Sequence, residues 1–420
     1  MPAPSAFDKR VLPFVSLQLH VEKLVYGGDG LSRLDGEVVL TPFVLPGEAI
    51  EAERAEARKH VQRARLLRIE QPSPDRVQPP CRVFERCGGC QYQHATYDAQ
   101  LRFKRDILVE TLRRVGKIEF DSLKIGIESA EPFGYRNRAQ FHFERDRIGY
   151  REMNSRRLVG VEQCPISSPK INEVLATLNR MVRDRRWPRF LGSLEVFTDE
   201  RQVQWNVLES TQPVAKRFFD WLADEVPGTV AGPLEYTVNE NLFQVGGTSF
   251  FQVNRFLLPR LAELAIAKAG GAVAWDLFAG AGLFSLPLAR RFGRVLAVEG
   301  GRSAGDLRHN AERARAPVEV AGEQTEVFLA KAKTAPDFVL ADPPRAGLGK
   351  TVTARLAELR PPTLVIVACD PATLARDLAA LQPVYEIERI TMVDLFPQTF
   401  HLETIVRLRL ADSATPRSSA

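Results

Sequence analysis

Cysteine is scarce in this chain: five among 420 residues. That scarcity excludes a disulfide-built scaffold, and 45% hydrophobic content is enough for large cores without cross-links. Charge of one sign is also lacking. The chain carries 57 basic and 52 acidic residues, a net +5, so overall charge does not establish a polyanionic partner. No stretch has the apolar length needed to span a membrane. The start, Met1-Pro-Ala-Pro-Ser-Ala, lacks the basic flank and apolar run of an export signal. No internal repeat is evident. These absences lead to the expectation of a cytoplasmic, monomeric protein with no membrane association and no obligate protein partner.

The cysteines that are present divide into two groups. Cys81, Cys87 and Cys90 form one tight run, with only Gly88 and Gly89 between the last two, and Cys164 stands far downstream. Reduced, grouped thiols more often hold metal than bridge. Structural zinc usually takes two pairs of close ligands, whereas a three-plus-one set suits an iron–sulfur cluster better. Gly88 and Gly89 are expected to let the backbone turn tightly around such a cluster. Cys369 is different: it ends the apolar run T-L-V-I-V-A and precedes Asp370-Pro371. An isolated thiol there is either a buried core residue or a nucleophile.

Composition along the chain predicts an α/β multidomain protein. Residues 14–73 alternate apolar and polar positions around the turns Gly27-Gly28-Asp29-Gly30 and Asp35-Gly36, which predicts a small β-barrel. Pro72, Pro74, Pro79 and Pro80 mark a boundary before a central region, 74–249. Within it, residues 97–115 read as a helix that could pack on the following domain. From 250 to 411 short apolar strands alternate with helices, as in a parallel sheet, and 412–420 read as a disordered tail. Two basic runs suggest RNA contact. Arg54, Arg58, Lys59, Arg63, Arg65 and Arg68 make the first. The second, Arg136 to Arg157, interleaves arginines with Tyr135, Phe141, Phe143 and Tyr150, a mixture able to hold phosphates and stack on bases.

In the last region Asp276-Leu-Phe278-Ala-Gly280-Ala-Gly282 reads as a strand entering a glycine turn and then a helix. Glu299 ends the next strand, where a carboxylate can accept from ribose hydroxyls. This fits either NAD or S-adenosylmethionine. Asp342-Pro-Pro-Arg and Cys369 close two later strands on the same carboxyl edge. Hydride transfer needs no thiol there, whereas methylation of an unreactive pyrimidine carbon does.

Nearly the whole chain resembles the RNA uracil-5-carbon methyltransferases, specifically the iron–sulfur group acting on 23S ribosomal RNA. The resemblance rests on G-D-G-L-S-R-L-D-G near the start, similar to a TRAM (OB-like) RNA-binding barrel. It continues through Cys81…Cys87-G-G-Cys90-Q-Y-Q-H, Cys164-Pro165, Phe250-Phe-Gln252-Val-Asn254, Asp342-Pro-Pro-Arg, Cys369-Asp-Pro-Ala and His401-Leu-Glu403-Thr. It implies a central α/β domain holding a 4Fe-4S cluster on Cys81, Cys87, Cys90 and Cys164, and a class I Rossmann-like catalytic domain. It further implies Cys369 as nucleophile and Glu403 as the base that removes the carbon 5 proton. Gln252, Phe278, Glu299, Glu323 and Asp342 would bind S-adenosylmethionine, and Phe250 would lie near the target base. The chemistry has a reason: a thiolate added to carbon 6 turns the uracil into an enolate whose carbon 5 can attack a methylsulfonium.

Two positions depart from the family pattern. Leu283 stands where relatives carry a polar residue that contacts the cofactor. Asp370 replaces an asparagine, and a carboxylate beside the thiol disfavours thiolate unless its side chain points away. Rival readings are a 5-methyluridine enzyme acting on transfer RNA, a cytosine-5 RNA methyltransferase, a dehydrogenase and a non-enzymatic iron–sulfur RNA-binding protein. The cluster is expected to be structural or to position RNA.

Overall fold

The computed structural model describes residues 16–58, 61–119 and 125–411, without the side chains of 56–58. Phe14, Lys59 and the expected tail 412–420 lie outside the described residues.

The first five strands are β1 (Ser16–Leu24), β2 (Asp29–Leu34), β3 (Glu37–Pro42), β4 (Ala49–Arg58) and β5 (Val61–Gln71), closed as β1-β2-β3-β5-β4. Alternation drives this closure: Leu17, Leu19 and Val21 of β1 point into the barrel while Ser16, Gln18 and His20 face out. Three arginines of the first basic run, Arg63, Arg65 and Arg68, lie on β5, and each is paired. Arg63 meets Asp29, Arg65 meets Glu53, and Arg68 lies 3.2 Å from Glu51.

Next comes α1 (Tyr97–Gly116), then β6 (Gly126–Glu128), β7 (Arg138–Glu144), β8 (Arg147–Arg151), β9 (Leu158–Gly160), α2 (Pro169–Met181), β10 (Leu191–Thr198), β11 (Val203–Ser210) and α3 (Lys216–Glu225). Strands β11-β10-β7-β8-β9 form a central sheet, covered by an apolar core that includes Ile171, Val174 and Leu178 of α2. Here the aromatic residues of the second basic run serve packing. Tyr135 and Phe141 are fully buried, so they offer no stacking face, while Arg145, Arg147, Arg156 and Arg157 remain exposed. An aromatic in a strand with a buried face is drawn inward by its apolar area.

The hairpin β12 (Leu234–Val238) and β13 (Asn241–Val245) leads to α4 (Leu258–Ala265), β14 (Gly271–Leu277), α5 (Ser285–Leu288), β15 (Phe292–Val298), α6 (Ala304–Arg313), β16 (Val318–Ala321) and α7 (Thr325–Lys331). The chain then runs through β17 (Phe338–Ala341), α8 (Gly349–Leu359), β18 (Thr363–Ala368), α9 (Pro371–Leu381), β19 (Tyr385–Val393) and β20 (Glu403–Leu410). These build an eight-stranded sheet ordered β16-β15-β14-β17-β18-β20-β19-β6. Strands β14 to β18 run parallel and β20 is antiparallel to β18 and β19. The order reverses between β14 and β17, the point where such sheets bind ligand at their carboxyl edge.

Packing crosses the boundary expected at residue 250. Strand β6 pairs parallel with the sheet edge at β19. Ile107, Leu108 and Leu112 of α1 share a core with Leu374 and Leu378 of α9. The hairpin residues Tyr236, Phe243 and Val245 pack with Leu258 and Leu286. The expected helix does lie on the catalytic sheet, and it brings a strand and part of the active-site wall with it.

Candidate active site

Six elements deliver chemistry to one edge of the large sheet. Reading across it, Glu323 follows β16, Glu299 follows β15, Asp276 and Phe278 end β14, Asp342 follows β17, Cys369 follows β18 and Glu403 begins β20. Because β20 is antiparallel, its first residue meets the same edge as the last residues of its neighbours; Ala368 is paired with Thr404.

The glycine turn is built for an approaching ligand. Phe278 adopts φ 61°, and Gly280 and Gly282 have φ 57° and 94°, conformations costly for residues with a Cβ and free for glycine. Nothing lies within 4 Å of where a Cβ on Gly280 would stand, so the turn faces open space. Glu299 accepts from the Gly280 amide at 2.9 Å and the Gly301 amide at 2.6 Å, which fixes its carboxylate at the rim. Asp276 is fully buried, accepts from Ser285 Oγ, and leaves its Oδ1 without a partner. Burial pushes its pKa up to about 7, helped by the nearby charges of Asp342 and Glu299. An unpartnered buried oxygen beside an open glycine turn fits a polar, cationic nucleotide-like ligand. Gln252, 5% exposed, hydrogen-bonds Asp342, whose pKa burial raises to about 7. Glu323 is held by Lys331 at the far end of this row. Leu283 is packed in the core with Phe284 and Leu286.

Cys369 is half-buried, and its pKa is pushed up to about 12 by burial first and then by the carboxylates of Glu403 and Asp342. Glu403, 2% exposed, is likewise raised well above the carboxylate range by burial and by Asp342. A thiol and two carboxyls thus crowd one spot, each disfavouring the others' ionisation. The Asp370 carboxylate turns away: its Oδ1 accepts from the Ala372 and Thr373 amides, both at 2.9 Å, and caps α9. Phe250 is 62% exposed, unusual for phenylalanine, on the segment that also supplies Gln252.

The segment 394–402, which leads into Glu403, is held from outside. Gln398 sits at φ 68° with 2% exposure, its carbonyl accepting from the Gln91 and Tyr92 amides at 2.9 Å each. Gln100 bonds both the side chain and the amide of Gln398. Lys104 of α1 forms a fully buried ion pair with Asp394 at 2.6 Å and also donates to the Phe396 carbonyl. Sequence reasoning missed this clamp. Its trace was present: Gln100, Lys104 and Leu108 are spaced to share one helix face, so two polar residues lie on an apolar stripe.

The second cysteine group surrounds a cavity of about 700 Å³, lined by Cys81, Cys87, Cys90 and Cys164. No group of three or more His, Cys, Asp or Glu side chains among the described residues closes around a single metal ion. All four cysteines line this one cavity, a set of soft donors. Burial raises Cys81, Cys87 (to about 11) and Cys90, and proximity to Cys164 adds repulsion in each case. Four thiolates here need a cationic centre among them. Asn172 of α2 grips Cys164 through both its amide, at 2.8 Å, and its carbonyl, at 3.0 Å. Gly88 does not adopt a left-handed φ, and a Cβ there would stand 3.3 Å from Met153 Cα, a tight contact.

Residues 328–410 match the tRNA (Uracil-5-)-methyltransferase family model. An uncharacterized RNA methyltransferase of Aquifex aeolicus is 33% identical, covering 94% of this chain and 99% of that protein. The 23S rRNA (uracil(1939)-C(5))-methyltransferase of Halomonas elongata is also 33% identical, covering 96% and 91%. Among solved structures, the Pyrococcus abyssi tRNA (uracil-54, C5)-methyltransferase bound to S-adenosyl-L-homocysteine superposes with a TM-score of 0.73. It is 25% identical and covers 93% of this chain and 100% of its own. With 33% identity running over nearly the whole of both chains, the protein belongs to the S-adenosylmethionine-dependent RNA (uracil-5-)-methyltransferases.

Proposed function

We propose that the chain methylates carbon 5 of a uridine in 23S ribosomal RNA, with Cys369 as nucleophile and Glu403 as base. The juxtaposition of Cys369, Glu403 and Asp342 at one carboxyl edge carries this reading. The Cys369 sulfur bonds carbon 6 of the uracil, and carbon 5 then takes the methyl group. Glu403 removes the carbon 5 proton, the carbon–sulfur bond breaks and the double bond returns. S-adenosylmethionine supplies the electrophilic methyl and a sulfonium charge that favours the ionised forms of all three acids. Gln252, Phe278, Glu299, Glu323 and Asp342 line the edge that would hold it, and Phe250 offers an exposed ring to a base swung out of its stack. Cytosine chemistry is less suited, because the strand that ends at Asp342 carries no second cysteine.

A 4Fe-4S cluster on Cys81, Cys87, Cys90 and Cys164 would cross-link the loop that clamps Gln398 to the central sheet. Methyl transfer from a sulfonium needs no electron, so its role is structural. The division 16–73, 74–249 and 250–411 serves as three functional regions: RNA-binding barrel, cluster region and catalytic region.

Two relatives at 33% and 31% identity are named for 23S ribosomal RNA, which favours that substrate. The full-length likeness to a transfer-RNA enzyme keeps transfer RNA as the second reading. Labelled methyl transfer to unmodified 23S and transfer RNA in parallel, with the nucleoside identified by mass spectrometry, decides between them. 5-Methyluridine in the 23S sample alone is the expected outcome, mapped first at the position named in those relatives. Product in transfer RNA alone overturns the substrate and keeps the chemistry.

A further inference from the structure

The turn between β1 and β2 of the barrel reaches the methyl-transfer centre. Tyr26 lies on that turn, half-buried, and its hydroxyl donates to the Cys369 carbonyl at 3.3 Å with the Asp370 carboxylate close by. Its ring meets Phe400 edge-on, with centroids 5.3 Å apart. Phe400 belongs to the segment that ends at Glu403. The turn itself is fixed in place: Gly28 has φ 97°, and a Cβ there would stand 2.9 Å from Gln91 Cβ. Gln91 in turn accepts from the Phe400 amide at 3.4 Å. One tyrosine from the barrel therefore touches both chain segments that carry the reacting groups.

We propose that Tyr26 is a positioning residue of the methyl-transfer centre, its hydroxyl fixing the Cys369 turn while its ring braces the approach to Glu403. The reading rests on Cys369 and Glu403 acting as assigned above. Cys369 lies between the end of β18 at Ala368 and the start of α9 at Pro371, in neither element. A bond to its carbonyl therefore limits the direction in which the thiol can point, and a nucleophile misplaced by about 1 Å loses on the order of 100-fold in rate. Burial raises the Tyr26 hydroxyl above its ordinary pKa, and the charges of Asp370 and Cys369 add to this, so it remains a donor throughout the working pH range. It is not placed to carry a proton for the reaction.

The test uses the full-length, cluster-loaded protein and RNA containing 5-fluorouridine. Fluorine cannot leave carbon 5 as a cation, so sulfur addition and methyl transfer give an adduct that persists. Its rate of formation is read in single turnover and its site by peptide mass spectrometry. Tyr26→Phe keeps the ring on Phe400 and removes only the hydroxyl. The expected result is an adduct rate about tenfold lower, with RNA affinity within twofold and an unchanged melting temperature. Tyr26→Leu, which also loses the ring contact, is expected to be slower still. A normal adduct rate in Tyr26→Phe overturns the proposal, as does a loss confined to RNA affinity. If the unsubstituted protein forms no adduct at Cys369, the nucleophile assignment itself fails, and that outcome is distinct from a normal rate in the variant.

Discussion

Cys369 and Glu403, the proposed reacting groups, lie at the same sheet edge but are held in opposite ways. Cys369 stands where a strand gives way to a helix, and its neighbour caps that helix within three residues. Its placement is largely local, because strand, turn and cap are contiguous in sequence, and Tyr26 adds a contact from the barrel. Glu403 is reached through a segment without regular structure, fastened by Gln91, Tyr92, Gln100 and Lys104 at sequence distances near 300. The same active site is thus half self-assembled and half imposed from the far end of the chain. Local geometry resists damage elsewhere, whereas imposed geometry carries the condition of the cluster loop into the chemistry.

Substituting the two groups separately separates their steps. Cys369→Ala is expected to abolish methyl transfer by on the order of 10⁴-fold or more while RNA binding persists. Glu403→Gln is expected to accumulate a methylated, sulfur-linked RNA adduct, visible as a stable complex on denaturing gels. Absence of that adduct would remove Glu403 from the base role.

The imposed side is breakable from a distance. Lys104→Met leaves Asp394 charged and buried, and should cost about 3–5 kcal/mol of stability in chemical denaturation. The double variant Lys104→Met with Asp394→Leu should recover much of that loss, because no lone charge remains. If the single variant is neutral, the clamp is not what holds the Glu403 approach.

Buried acids at the cofactor edge give a pH signature. The folded pKa of Asp276 is about 7, above its unfolded value, so the fold binds more protons than the unfolded chain between about pH 4 and 7. Its contribution is therefore fully present in acid and is lost as pH rises through 7. Asp276→Asn should stabilise the fold against chemical denaturation more at pH 8 than at pH 5, by on the order of 1–3 kcal/mol. An equal effect at both values would show that the acid is not buried neutral. The smallest change belongs to the self-assembled side. Asp370→Asn keeps the cap on α9 and should alter stability by less than about 0.5 kcal/mol and leave activity near its starting value. A sharp gain in rate would mean that the carboxylate does burden the thiol.

This contrast also explains what the sequence could tell. The parallel strands, the glycine turn, the barrel and the convergence of Asp342 and Cys369 on one edge were legible, because each follows from short-range pattern. The clamp on Gln398, the barrel tyrosine beside Cys369 and the pairing of β6 with β19 were not, since no local pattern encodes a partner hundreds of residues away. Tyr135 and Phe141 were misread for a related reason: an arginine-rich run reads as surface until Phe141 is seen on the buried face of β7 and Tyr135 packed with Ile166 and donating to the Pro397 carbonyl. The isolated carboxylate Asp276 was visible in the motif, but only its burial and unpartnered oxygen show that it belongs to the site.

Strand β6 has a consequence for how the protein is made. Its three residues leave the ribosome long before β19, the neighbour they pair with, and α1 waits equally long for α9. The catalytic sheet is therefore sealed last, by segments synthesised first, and contacts of such long range fold slowly. A fragment starting at residue 250 would expose the apolar faces of α9 and the β12–β13 partners and leave the β19 edge open, a template for aggregation. A graft of this catalyst onto another RNA-binding module therefore needs the loop that carries Cys81, Cys87 and Cys90, α1 and β6 as well as the residues after 250, and would still lose the Tyr26 contact with Cys369.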